Sequence, residues 1–139
     1  MQLDDNLYKQ ILDICNDGKF CVKRGRNNEA IEHYKKALEL VSEPKGEWMA
    51  TFWLYESIGD AYFYDFLYKE CLEWMMKAFA LPDGDKDPFV LLRIGECHYE
   101  MGNFEQAKKF LLETRKYDVK NLMEMDDSKY FNLIKGLII

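Results

Sequence analysis

Few residues in this chain have the types and spacing that chemistry needs. Cys97 and His98 are adjacent, and with Cys71 they are the residue types of a metal site or a Cys–His nucleophile. The spacings match neither a Cys-x-x-Cys nor a His-x-x-x-His ligand pattern. Neighbours in a helical sequence point apart, which also argues against a nucleophile built on Cys97 or Cys21. Cys15 and Cys21 lie six apart and do not share a helix face as a ligand pair. Asp4-Asp5 and Asp126-Asp127 imitate a catalytic dyad. Each pair flanks an expected helix start, where carboxylates satisfy free N–H groups and complement the dipole. Gly84 and Gly102 are isolated turn glycines and form no phosphate cradle. The expectation is a chain with no catalytic residue, no metal and no cofactor.

Composition bounds the rest. The chain has 139 residues, 48% of them apolar and 15% aromatic, enough for one compact domain with a real core. Three prolines and eight glycines are sparse punctuation, which favours long helices joined by short turns. The formal charge is −6, from 25 acidic against 19 basic residues. That balance disfavours nucleic acid, which wants clustered Lys and Arg, and suits a basic protein partner. The Lys23-Arg24-Arg26 group sits at an expected helix end, where cations complement the dipole. The N-terminus is acidic and lacks an apolar signal core, and no apolar run reaches membrane length. The chain therefore reads as cytoplasmic and bacterial, with reduced thiols.

An internal repeat sets the expected architecture. Gly18, Gly59 and Gly95 stand in mid-helix, and a small residue follows each by twelve positions: Ala30, Cys71 and Ala107. Small residues let two antiparallel helices approach closely, so each pair reads as a helical hairpin. The turns are Gly25-Arg26-Asn27 and Gly102-Asn103-Phe104, whereas the middle repeat has Phe66 where glycine is expected. The repeats are offset by 41 and 36 residues, and the loops Ser42–Gly46 and Asp83–Pro88 hold the excess over roughly 34. Pro88 belongs in a helical first turn, where its missing N–H costs nothing. Helices are expected near 5–24, 27–41, 47–65, 68–80, 88–101, 104–118 and 128–138. The expected fold is a single all-α domain over 1–139. Its repeats lie near 5–41, 47–81 and 88–118, and residues 119–139 supply a C-terminal cap.

The stretches Gly25 to Leu40 and Arg93 to Leu112 resemble the tetratricopeptide repeat family. The resemblance implies three stacked hairpins in a right-handed α-solenoid whose first helices line a concave groove. A narrower likeness runs through Ser42-Glu43-Pro44-Lys45-Gly46-Glu47-Trp48, Ile58–Phe63, Leu81–Gly84, Asp87–Phe89, Arg93–Glu100 and Asp126–Phe131. That order of motifs is similar to a group of small bacterial tetratricopeptide proteins that accompany polymorphic toxins of the Rhs or contact-dependent kind. They are taken to be immunity proteins. Ser128 departs from the group's usual proline. The subclass that clamps a peptide carboxylate uses two Lys, two Asn and one Arg. At those positions stand Cys15, Lys19, Ser57, Phe89 and Arg93, and only Arg93 matches. The resemblance therefore implies no chaperone-tail clamp.

The aromatics divide in two. Tyr34, Trp48, Trp74, Phe79, Phe104 and Phe110 fall at packing positions. Helical phase turns Trp53, Phe63, Tyr64, Phe89 and Tyr99 towards the implied groove, interleaved with Glu56, Asp60, Arg93, Glu96 and Glu100. An aromatic surface ringed by acids has the composition of a protein-binding hot spot. The expected partner-binding set is Trp53, Glu56, Asp60, Phe63, Tyr64, Phe89, Arg93, Glu96 and Tyr99. The expected function is an immunity protein that blocks a basic toxin domain. An adaptor or secretion chaperone holding an extended peptide is the alternative.

Overall fold

In α1 the buried residues are Ile11, Cys15, Gly18 and Cys21, spaced four, three and three apart, which is the stripe of a helix resting on one neighbour. The computed structural model describes residues 5–41, 49–117 and 128–137. Seven α-helices lie among them: α1 (Asp5–Lys23), α2 (Asn27–Leu40), α3 (Met49–Tyr64), α4 (Tyr68–Phe79), α5 (Pro88–Glu100), α6 (Phe104–Tyr117) and α7 (Ser128–Ile134). Two 3-10 turns join them, Gly84–Lys86 before α5 and Lys135–Leu137 after α7. No strand occurs among the described residues. Each helix packs on its neighbours in the chain, so α1/α2, α3/α4 and α5/α6 form three stacked hairpins, and α7 closes the stack on α6. The proposed caps Asp4 and Asp126-Asp127, the packing residue Trp48 and the Pro44 loop lie outside the described residues.

The expected helix positions agree with the observed ones to within a few residues. Pro88 opens α5, and the Asp87 side chain caps it by accepting from the Val90 N–H at 3.0 Å. α5 is the most deeply covered helix, with Val90 to Cys97 all buried, because α4, α6 and α7 enclose it. That run includes two charged residues, Arg93 and Glu96, at 6% and 2% exposure.

The small residues are packed as expected, and a bulkier residue completes each contact. Ala30, Cys71 and Ala107 are fully buried, but the side chain seated over each glycine comes from one turn further on. A methyl group placed on Gly18 would lie 2.6 Å from the Tyr34 ring. On Gly59 it would lie 3.0 Å from Met75, and on Gly95 2.9 Å from Leu111. In every hairpin the bulky residue sixteen positions after the glycine fills the hollow that the glycine leaves. Phe104 also departs from expectation, standing 47% exposed.

Gly25 and Gly102 take φ of 72° and 82°, and Phe66, at the equivalent turn, takes 62°. The middle hairpin thus keeps the left-handed turn without glycine. A bulky side chain there suffers the Cβ–carbonyl crowding that glycine avoids. Asn27 of the first turn donates from Nδ2 to Oδ1 of Asp65 in the second at 2.7 Å, tying adjacent hairpins edge to edge.

Two substitutions should move stability in opposite directions. Phe66→Gly relieves left-handed strain, and urea unfolding should show a gain of about 1 kcal/mol. Gly95→Leu must displace Leu111 and should cost roughly 1–3 kcal/mol in the same measurement. If both unfold like the parent, this hairpin register is wrong.

Candidate functional site

One face of α3 carries Trp53, Glu56, Ser57 and Asp60, spaced three, one and three apart, so they form a single stripe. Together with Phe89 from the first turn of α5 they line a recess of about 310 Å³ between the two helices. Four of the nine expected binding residues, Trp53, Glu56, Asp60 and Phe89, therefore meet at one place. Trp53 is held edge-on by Tyr34 of α2, with ring centroids 5.8 Å apart. Lys19 of α1 lies over the other part of its environment, its Nζ 4.9 Å from the indole centroid.

Arg93 binds the recess to the core. Its Nε donates to Asp60 Oδ1 at 2.8 Å and its Nη1 to Glu96 Oε1 at 2.7 Å. Its Nη2 reaches the Tyr64 hydroxyl at 3.5 Å. The guanidinium also lies over Phe63 at 4.2 Å and Phe89 at 5.2 Å. A guanidinium surrounded by carboxylates and ring faces keeps its proton: the Asp60 and Glu96 charges raise its already high pKa against the opposing effect of burial. Arg93, Glu96 and Phe63 thus build the site from beneath, and Arg93 is committed to internal partners.

Tyr99 belongs to a different neighbourhood. Its ring is packed edge-on against Phe104 and against Tyr130 of α7, each at 5.2 Å. The Tyr130 hydroxyl donates to Glu100 at 2.9 Å, and Lys129 pairs with the same carboxylate. Tyr99 and Glu100 therefore anchor the tail helix. Helical phase alone placed Tyr99 with the groove because the sequence does not say where α7 docks. Tyr64 is 47% exposed at the far end of α3, beside Arg93.

One recess residue, and one residue acting on Glu56, were missed from the expected set. Ser57 follows Glu56 on the same stripe, and its hydroxyl donates to the Trp53 carbonyl at 2.9 Å. Asp87 was read only as part of a loop, yet its carboxyl is hydrogen-bonded to Glu56. The structure makes it the cap of α5, and nothing in the sequence brought it to α3.

Burial, the Asp87 and Asp60 charges and the hydrogen bond to Asp87 push the Glu56 pKa up to about 8. The cysteines behave as packing residues. All four are buried with free thiols. Burial pushes Cys15 up to about 11. The hydrogen bond between Cys71 and Cys97, with burial, raises Cys71 far above neutrality. His98 points elsewhere, stacked on Phe110 at 5.8 Å. No group of three or more metal-ligating side chains is placed to hold an ion among the described residues. No helix among them is long and apolar enough to cross a membrane.

Stacked helical hairpins with a side-chain-lined groove between first helices define a repeat solenoid. Residues 15–41 and 90–113 match the family model of the tetratricopeptide repeat, so two of the three hairpins carry its sequence pattern and all three carry its fold. The first tetratricopeptide domain of Spaghetti (RPAP3) bound to the HSP90 peptide SRMEEVD superposes with a TM-score of 0.73 at 18% identity, over 93% of this chain and 94% of that one. The first such domain of human RPAP3 gives 0.71 at 20% identity, over 91% and 93%. PcrH from Pseudomonas aeruginosa gives 0.71 at 12% identity, over 98% and 95%. At these identities the likeness is one of fold. None of the curated proteins matches the chain in sequence.

The raised Glu56 pKa sets a pH dependence. Between the ordinary carboxylate value and about 8, the folded protein holds a proton that the unfolded chain has released. The stability this proton confers is complete below the ordinary value and is lost as pH rises through the window. Glu56→Gln removes the ionisation, so urea unfolding from about pH 5 to about pH 8 should fall less steeply than in the parent. Parallel profiles for the two proteins would show that Glu56 titrates normally.

Proposed function

We propose that this chain is a non-catalytic protein-binding module whose partner presents a basic surface, and that it serves as an immunity protein occluding a toxin domain. The observation that carries the reading is the recess between Trp53 and Phe89, floored by the carboxyls of Glu56 and Asp60. Aromatic faces supply desolvated contact area, and the acids steer and orient a basic partner. Of the two cations at carboxylate-clamp positions, Arg93 is already paired with Asp60 and Glu96, and Lys19 lies over the Trp53 ring. A peptide with acidic residues at its end, such as the SRMEEVD bound by Spaghetti, would meet carboxylates here. The immunity role draws on the order of sequence motifs, and the sign of the groove suits a nuclease-like basic toxin.

The second reading is an adaptor or secretion chaperone that holds an extended peptide. It is favoured by the peptide bound to the similar fold of Spaghetti. The readings differ in what is bound: an immunity protein inhibits a folded toxin domain, whereas a chaperone holds an unfolded segment.

The test is to identify the protein that this chain captures, and to measure whether that protein is a folded toxin domain that the chain inhibits. Trp53→Ala should weaken binding by about 2 kcal/mol, roughly thirtyfold, while a control at exposed Lys36 leaves it unchanged. Lys35 is a poorer control, because its ammonium lies over the Trp74 ring at 5.6 Å. Trp53 also touches Tyr34, so the variant's melting temperature must be measured alongside. Binding at parental strength by a folded Trp53→Ala protein would move the functional surface elsewhere.

A further inference from the structure

The chain carries a formal charge of −6, yet the turn between α1 and α2 is basic. Lys23, Arg24 and Arg26 all stand exposed there. Lys23 makes no ion pair among the described residues. The Arg24 guanidinium lies over the Phe20 ring at 4.3 Å and meets no carboxylate among them. Arg26 reaches Glu29 at 3.9 Å, with both side chains more than half exposed, so that pair is weak. The α1 C-terminus supplies about half a negative charge, and the α2 N-terminus beside it about half a positive one. The helix dipoles therefore leave the turn positive.

The next turn supplies an apolar surface beside these cations. Asn27 follows Arg26 and donates to Asp65 at 2.7 Å, and Phe66 and Leu67 follow Asp65. The two turns thus lie side by side. Phe66 and Leu67 are 76% and 41% exposed. Phe66 takes a φ of 62° where its sister turns have glycine, and among the aromatic contacts of the described residues its ring meets only Tyr68. Asn27 is 8% exposed, and its buried Oδ1 has no hydrogen-bond partner among the described residues. A strained aromatic turn and an unmatched acceptor therefore share one junction. Local costs of this kind gather where a protein binds something.

The make-up of the surface selects the ligand. A basic partner would be repelled by the three cations, and a purely charged one would leave Phe66 in water. An acidic segment with an apolar side chain meets both demands, with opposite charge setting its orientation.

We propose that the edge formed by the first two hairpin turns docks an acidic segment of a partner protein. Its carboxylates meet Lys23, Arg24 and Arg26, and an apolar side chain covers Phe66 and Leu67. This surface is opposite in sign to the recess, shares no residue with it, and does not depend on the groove reading.

The experiment titrates the full, isotope-labelled chain with a capped Glu-Leu-Glu-Phe-Glu peptide. The Gly25 and Leu67 amide resonances should move, the Trp53 indole resonance should stay in place, and added salt should weaken binding. A Lys-Leu-Lys-Phe-Lys peptide and a Glu-Ser-Glu-Ser-Glu peptide should each bind at least about tenfold more weakly. Arg24→Glu with Arg26→Glu, and separately Phe66→Gly, should weaken binding of the acidic apolar peptide to the same degree. Phe66→Gly relieves the strained turn, so it should lose binding while unfolding in urea no earlier than the parent. A purely structural role for Phe66 does not produce that opposition. The inference is overturned by unmoved Gly25 and Leu67 resonances at peptide concentrations up to about 10 mM. Equal binding of the lysine or serine peptide, parental binding by either variant, or movement of Trp53 in place of the turn residues overturns it too.

Discussion

Arg93 is 6% exposed, so its charge has to be met inside the protein, and it is met by Asp60 from α3 and Glu96 from one turn along α5. The cost of burying a guanidinium is offset only when carboxylates and hydrogen-bond acceptors are held in place around it. That requirement fixes α3 and α5 relative to each other at the point where the groove forms. It also sets the sign of the groove. With Arg93 neutralised from within, burial and the Asp87 and Asp60 charges raise the pKa of Glu56. The polarity of the surface is therefore a consequence of how one buried charge is satisfied.

The apolar packing is simpler and repeats three times. Tyr34, Met75 and Leu111 each fill the hollow over a glycine on the preceding helix, which draws the two helices of each hairpin together. The groove-lining first helices are thus held from behind by their own second helices. α7 closes the stack, with Tyr130 and Ile134 buried against Leu92 and Leu111. Its docking consumes Tyr99 and Glu100, which would otherwise extend the groove along α5. The recess lies instead where α3 meets the start of α5, and Asp87 contributes both the α5 cap and the partner of Glu56.

The middle hairpin is the exception in two respects. Phe66 adopts φ of 62° where its sister turns have glycine, and it is 76% exposed. Its ring touches only the neighbouring Tyr68 among the aromatic contacts of the described residues, at 6.4 Å. The fold holds this turn because α3 and α4 are fixed by the Gly59–Met75 contact and by Asn27 on Asp65. Local propensity is overridden by packing at this position.

The sequence by itself determined the helices, their pairing and the chemistry available to the groove. Periodicity, the spaced glycines and Pro88 are local signals, and local hydrogen bonding and sterics decide them. The stripe of Trp53, Glu56 and Asp60 was legible for the same reason, since positions 3 and 7 apart on one helix share a face. Only the tertiary structure decided which of these groups remain available. Arg93 looked like a groove cation and is an internal strut, because its partner Asp60 lies 33 residues away. Tyr99 looked like a groove aromatic and is covered by a helix that begins 29 residues later, at Ser128. Asp87 looked like a loop residue, and it caps α5 and raises the pKa of Glu56 on α3. Charge pairing and burial act through space between helices, and no spacing along the chain encodes them.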